Sequence, residues 1–296
     1  MSIQNLHAIL RMQSPNGAFP SYVHIGERVI KDENCFVTAL VLLHLLDYSA
    51  VLQDKKLFSA IDRGLDFIEA CEQPGEKGSF CFYPYTIQSQ RLDIFINPDL
   101  DDSSLALLVL LKGKRRSEEE VLTAIKKVIE PNRLLGISGH QGQWIAPGSF
   151  LTWINTPISF NTIDCCVNCN IVSLYTYLNL KTHDSYKAAV ATINRATTLY
   201  SADISSMRRI APFYPDPVEL LFALDRAVKA GAEELQNALN HWKKKHSKGC
   251  YLKNKTDTSQ YICCHESGKP VWSSPVLQKI RAITASLHTS FFETNR

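Results

Sequence analysis

Apolar residues recur every three to four positions over 35–48, 57–71, 102–112, 118–129, 166–180, 186–199, 217–230, 232–245 and 275–288, a spacing that turns one face of an α-helix inward. No sustained alternation of apolar and polar residues separates these runs, so no strand is expected between them. The runs alternate in kind. The first of each pair is apolar nearly all round, as a buried helix is, and the second reads as its return.

Between alternate helices lie segments rich in glycine, proline and aromatic residues: "SPNGAFPSYV", "GSFCFYPYT", "APGSFLTWI" and "KGCYL". They align with the helices that follow them into three copies. "NGAFPSYV" precedes "DENCFVTALVLLHLL", "KGSFCFYP" precedes "DLDDSSLALLVLLK", and "PGSFLTWI" precedes "DCCVNCNIVSLYTYL". The shared aspartates, Asp32, Asp99 and Asp164, are 67 and 65 residues apart. "YPDPVELLFALDRAV" is a fourth start at Asp216 and "WSSPVLQKIRAI" a degenerate fifth. A unit of loop, inner helix and return helix, used about five or six times, closes into a ring. The predicted fold class is therefore all-α, a single α/α toroid of about 10–12 helices. One domain spans residues 1–296.

Composition narrows the function. With 45% hydrophobic and 21% charged residues the chain is neither disordered nor fibrous. A net charge of +3 with scattered basic residues excludes nucleic acid, since the tight run Lys112–Arg116 is followed at once by Glu118, Glu119 and Glu120. Nine cysteines, an odd number, and an amino terminus "MSIQNLHAILRMQ" without an apolar signal segment predict reduced thiols and a cytoplasmic location. The longest apolar run, Leu105–Leu111, is too short to cross a bilayer, which leaves room only for loose contact at a membrane surface.

An aspartate that opens a helix satisfies free backbone amides, and Asp32, Asp164 and Asp216 need no more than this capping role. The second copy differs. After Asp99 it carries Asp101 and Asp102, where the first copy has Asn34 and Cys35 and the third has Cys166 and Val167. Three carboxyls at the mouth of an inner helix cannot all ionise in an apolar cavity, so at least one stays protonated near neutrality. The helix N-terminus favours an anion in a neighbour. The cluster is a candidate general acid with its supports.

Asp99-Leu100-Asp101-Asp102 resembles the Asp-x-Asp-Asp motif of class II terpene cyclases, the squalene–hopene and diterpene cyclase superfamily, which is built from α/α toroids. The resemblance implies that Asp101 protonates a terminal alkene or epoxide of a polyprenyl chain and that Asp102 and Asp99 tune it. Room for one toroid only, together with "PDLDDSS", "DCCVNCN" and "SFLTWI", makes the chain most similar to the single-domain meroterpenoid cyclases, whose polyprenyl chain is attached to an aromatic acid. Such a reaction needs a lipophilic small-molecule substrate and no protein partner. It needs no cofactor either, magnesium entering only if the substrate is a diphosphate.

A carbocation cascade needs aromatic faces. The loops supply Phe19, Tyr22, Phe82, Tyr83, Tyr85, Trp144, Phe150, Trp153, Phe160 and Tyr214; Phe19, Tyr22, Tyr85, Trp144, Trp153, Phe160 and Tyr214 are the candidate substrate-binding residues, with Trp153 and Tyr214 foremost, although an aromatic residue in such a loop is more often core. Asn168 and Asn170 sit on an otherwise apolar helix and need partners. Two positions apart, they point to different sides, so one can serve the catalytic carboxyl and the other a loop. Cys166-Val167-Asn168-Cys169 and Cys263-Cys264-His265 have partial zinc spacing, but a lone CxxC inside a helical repeat makes no site and no metal is expected. Lys112, Lys114, Arg115 and Arg116 could meet a diphosphate or form a solvated turn. The rivals are a class II diterpene cyclase acting on a prenyl diphosphate with magnesium, a zinc-dependent prenyltransferase subunit, an α/α-barrel glycosidase, and a non-catalytic toroid that binds a lipid or a protein.

Overall fold

The computed structural model describes residues 3–87, 96–136, 142–248 and 261–293. In chain order the elements are α1 (Ile3–Leu10), β1 (Pro20–Ile25), β2 (Arg28–Glu33), α2 (Cys35–Ser49), α3 (Lys55–Ala70), α4 (Leu100–Lys112), α5 (Glu118–Ala124), α6 (Cys165–Tyr177), α7 (Asp184–Leu199), α8 (Ile204–Ile210), α9 (Pro217–Lys229), α10 (Gln236–Lys248), β3 (Tyr261–Cys264), β4 (Val271–Ser273) and α11 (Pro275–Glu293). The helical run predicted over 118–129 continues past α5 as a π turn over Ile125–Ile129. Of the loop "KGCYL", residues 249–252 lie outside the described residues.

Sequence character separates an inner from an outer layer. Every residue of α4 from Leu100 to Leu110, and of α6 from Cys165 to Thr176, is buried, so these helices are enclosed all round. The outer helix α3 buries one stripe only, Leu57, Ala60, Ile61, Gly64, Leu65, Phe67 and Ile68. Inner helices contact in the order α2, α4, α6, α9, and α11 returns to α2. A buried ion pair closes the remaining gap, Arg281 of α11 donating from Nη1 and Nη2 to the two carboxylate oxygens of Glu219 on α9 at 2.7 and 2.8 Å. Outside them, α3, α5, α7 and α10 each pack on the inner helix that precedes them, and α1 packs on α11 and α3. The result is an α/α toroid with five inner and five outer helices among the described residues.

The repeat has a stricter register than the shared aspartates suggest. Asn34, Asp99 and Asp164 cap α2, α4 and α6, each accepting a backbone N–H two or three residues on, and each is 65 residues from the next. The cap of the first copy is thus Asn34, not Asp32. Asp32 lies buried at the end of β2 and accepts from Ser21 Oγ, Asn34 Nδ2 and Trp272 Nε1, tying the first repeat to β4. Asp216 caps α9 as expected, accepting from the Val218 amide. In the corrected register the counterparts of Asp101 are Phe36 and Cys166, and those of Asp102 are Val37 and Val167.

The aromatic loops are structural parts of the repeat. Gly17 and Gly78 turn the chain at φ of 93° and 91°. A Cβ there would come within 2.0 Å of the Arg63 carbonyl oxygen on α3 and 2.3 Å of Ala124 Cβ on α5, so each turn presses on the outer helix of its own repeat. The phenylalanine two residues on then donates its backbone N–H to the fourth residue after the cap: Phe19 to Thr38, Phe80 to Ser103 and Phe150 to Asn168.

One expectation fails. A four-stranded antiparallel sheet of order β2-β1-β4-β3 covers one end of the ring and joins the first loop to the last. β2 is exposed over its first four residues, and β3 and β4 are four and three residues long, so none of them presents an alternating pattern. The unpredicted helices α1 and α8, eight and seven residues long, are likewise too short to show a period. The basic run after α4 is tied to carboxylates, Lys112 to Asp47, Arg115 to Asp62 and Asp66, and Arg116 to Glu69 and Glu72. Among the described residues no helix is long and apolar enough to cross a membrane.

Candidate active site

The loops and the sheet roof over the N-terminal ends of the inner helices, and a cavity opens there. The cavity has a volume of about 60 Å³, so it is a narrow slot. Asp99, Asp101 and Asp102 lie on its wall together with Phe36 of α2, Val167 of α6, Trp153, Phe213, Tyr214 and Trp272. Cys263 and Cys264 of β3 and His265 just after it line the cavity, and no lysine or arginine among the described residues faces it.

The acids sit where they do because of the repeat register. The residues two and three places after the caps supply the inner helices' share of the wall: α2 offers Phe36, α6 offers Val167, and α4 alone offers carboxylates, Asp101 and Asp102. Asp99 accepts from the Asp102 amide at 2.7 Å as the cap. Burial raises its carboxyl well above the usual range, the charge of Asp101 adds to this, and the backbone N–H bonds oppose it.

Asp101 is 8% exposed and held at both oxygens. Asn170 Nδ2 donates to Oδ1 at 2.5 Å, and the Tyr214 hydroxyl donates to Oδ2. The Asn170 amide has one orientation, because its Oδ1 accepts from Arg226 Nη2 at 2.6 Å and Nε at 3.1 Å. Arg226 therefore obliges Asn170 to present N–H to Asp101, so a proton on Asp101 belongs on Oδ2, where the Tyr214 hydroxyl, unlike an amide N–H, can turn from donating to accepting. Burial raises the Asp101 carboxyl, while the hydrogen bonds from Tyr214 and Asn170 and the charge of Arg226 pull it down. Asp102 differs from it. Burial and then the charge of Asp99 push it well above the ordinary range, and neither of its oxygens has a hydrogen-bond partner among the described residues.

The other predicted residues divide. Trp153 and Tyr214 line the cavity, each in an edge-to-face pair, Trp153 with Phe213 at 5.2 Å and Tyr214 with Phe36 at 5.8 Å. Asn170 reaches Asp101. Asn168 does not, since it holds the Phe150 loop by accepting from its N–H and donating to its carbonyl. Phe19 is spent in the core of its turn, Tyr22 lies half-buried on β1, and Trp144 packs edge-on against Tyr200. Tyr85 is 50% and Phe160 73% exposed, away from the cavity. A position in a repeated loop places a ring near the inner helices but leaves open which side of the loop it takes. Cys166 and Cys169 are buried thiols on α6, and among the described residues no group of three or more His, Cys, Asp or Glu side chains is arranged to hold a metal.

Phe82, also among the loop aromatics, lies on the wall, and sequence reasoning missed Arg226, Phe36, Phe213 and Trp272. Arg226 had a signal, a cation within the run of the fourth inner helix, whereas the aromatic residues became visible only when the loops and the sheet were in place.

No protein-family model matches the chain, and no curated protein does. Among solved structures it is similar to a protein from Actinoplanes at 13% identity and a TM-score of 0.45, over 81% of this chain and 63% of that one. The chain thus spans less than two thirds of the Actinoplanes protein. It is similar to the type II terpene cyclase MstE from Scytonema at 11% identity and a TM-score of 0.40, over 81% of this chain and 75% of that one. A variant of that cyclase has been solved with its substrate, geranylgeranyl dihydroxybenzoate. A sugar epimerase from a ruminal bacterium is similar at 10% identity and a TM-score of 0.45, over 93% of this chain and 94% of that one. Identities and TM-scores this low assign no activity to the chain.

Proposed function

We propose that the chain is a protonation-initiated, class II terpene cyclase acting on a polyprenyl chain with a neutral or aromatic head. The observation that carries this reading is Asp101, a buried carboxyl facing an aromatic slot, held at one oxygen by Asn170 and at the other by Tyr214. With Oδ1 occupied by the Asn170 amide, a neutral Asp101 carries its proton on Oδ2 and can pass it to the end of a chain lying in the slot. The carboxylate left behind is stabilised by Asn170, Tyr214 and the nearby guanidinium of Arg226, groups already in place before the transfer. Positive charge then moves along the chain past Phe36, Trp153, Phe213 and Trp272, whose faces attract a cation without supplying a nucleophile. Loss of a proton at the far end completes an isomerisation.

A prenyl diphosphate fits less well, because the described lining holds no lysine or arginine and Lys112, Arg115 and Arg116 of the basic run are paired with carboxylates. The test is turnover, followed by mass spectrometry, of farnesyl- and geranylgeranyl-substituted dihydroxybenzoates and of geranylgeranyl diphosphate with and without magnesium, beside Asp101→Asn. The expected outcome is an isomeric cyclised product from the aromatic substrates, reduced at least about 1,000-fold in the variant, which cannot donate the proton. Equal turnover by both proteins would remove Asp101 as the acid. No turnover by either would favour a toroid that only binds its ligand.

A further inference from the structure

Asp102 is the anomaly of the site. It is 1% exposed, lies on the cavity wall beside the proposed acid, and has no hydrogen-bond partner at either oxygen among the described residues. The wall it shares does contain polar groups, but none of them is within hydrogen-bond distance of either oxygen: Thr152 Oγ1 donates to the Thr162 carbonyl, Trp272 Nε1 to Asp32, and the Tyr214 hydroxyl is bound to Asp101. Burial and the charge of Asp99 raise its carboxyl well above the usual range, which favours the protonated form, and for the O–H of that form the described residues supply no acceptor. An unpaired buried donor bears the full desolvation of its group, and native sites keep such groups where a ligand completes them.

The two termini open to a cyclase of this kind differ in what they offer Asp102. A terminal alkene has no lone pair and leaves the O–H unmatched. An epoxide oxygen has two, one for the proton of Asp101 and one for a hydrogen bond from Asp102. Resting on the cyclase reading above, we infer that the reacting end of the substrate is a terminal epoxide, held by Asp101 and Asp102 together. The Asp101 proton passes from Oδ2 to the epoxide oxygen, and the bond from that oxygen to the more substituted carbon breaks. The π electrons of the next isoprene unit form the new C–C bond. Asp102 keeps its proton and stabilises the hydroxyl as it forms. A proton lost at the far end balances the one received, so no further reactant is consumed. The reaction that supplies this substrate must be an oxygenation of a terminal double bond.

The experiment compares a matched pair, geranylgeranyl-substituted dihydroxybenzoate and its terminal epoxide, with the purified full chain, Asp102→Leu and Asp102→Asn, as kcat/KM. The wild type should prefer the epoxide. Asp102→Leu should cut that preference roughly tenfold to a hundredfold, the worth of one hydrogen bond to a group that is becoming charged. Asp102→Asn, which keeps an N–H donor, should retain more of it. Asp102→Leu should also melt no lower than wild type, since an apolar group replaces an unpaired polar one. If the wild type turns over the alkene as well as the epoxide, or if the preference is the same in Asp102→Leu, the inference fails and the cyclase reading stands. If neither compound is consumed, both fail.

Discussion

Asp101, the proposed acid, is held by a chain of two residues distant from it in sequence. Asn170 sets which oxygen bears the proton, and Arg226 sets which way Asn170 faces. Replacing Arg226 by Met should free the amide to turn its oxygen toward Asp101, lowering kcat about 10- to 100-fold while KM changes little, because nothing on the cavity wall is removed. Arg226→Lys should recover part of the loss. The pH profile separates this role from a merely structural one. Arg226 lowers the Asp101 carboxyl and the proposed reaction needs the protonated form, so without Arg226 the falling limb should move to higher pH. Unchanged kcat and an unmoved limb would show that Asn170 keeps its orientation unaided. The acids were legible because they break a repeat that otherwise has an apolar residue or cysteine there. That Asn170, and not Asn168, reaches the acid was not legible. Both are amides on one buried helix, and only the placement of the Phe150 loop shows that Asn168 is spent on it.

At the scale of elements, the glycine turns lock each inner helix to its return helix. Gly78 has φ of 91° and no room for a Cβ beside Ala124, while Gly75 has φ of 83° and open space around it. Gly75→Ala should therefore cost only the backbone strain, roughly 1 kcal/mol. Gly78→Ala should cost more, about 2–4 kcal/mol, because α5 must also move. Urea denaturation measures both, and equal losses would show that the turn does not bear on α5. Helices were legible from period alone, being long and carrying consistent faces. The strands were not, since β3 and β4 are short and β2 is largely solvated, and hydrogen bonding between distant segments, not local pattern, makes them strands.

Across the whole molecule, burial of four carboxyls at one end of the ring couples folding to pH. Asp99, Asp101 and Asp102 are raised, and Asp164 is raised to about 8 by burial and the charge of Asp101, against three backbone N–H bonds. In the unfolded chain aspartate titrates near about 3.9. Above the unfolded value each of these carboxyls still holds a proton in the folded chain, so they make stability fall as pH rises from about 4, in the case of Asp164 up to about 8, and His44, which desolvation lowers to about 3, opposes them in part below about 6.5. At constant ionic strength Tm should be lower at pH 8 than at pH 5, and less so in Asp102→Leu. A Tm that climbs over that interval would show the carboxyls to be ionised in the folded state. By itself the sequence determined the helical repeat, the inner and outer layers and the odd acidic copy, because each is written in local periodicity and in comparison between copies. Tertiary structure alone decided the true register of the first cap, the sheet that roofs the cavity and joins its two ends, and the line from Arg226 through Asn170 to Asp101. Those features depend on segments far apart in the chain meeting in space, and no local pattern encodes where they meet.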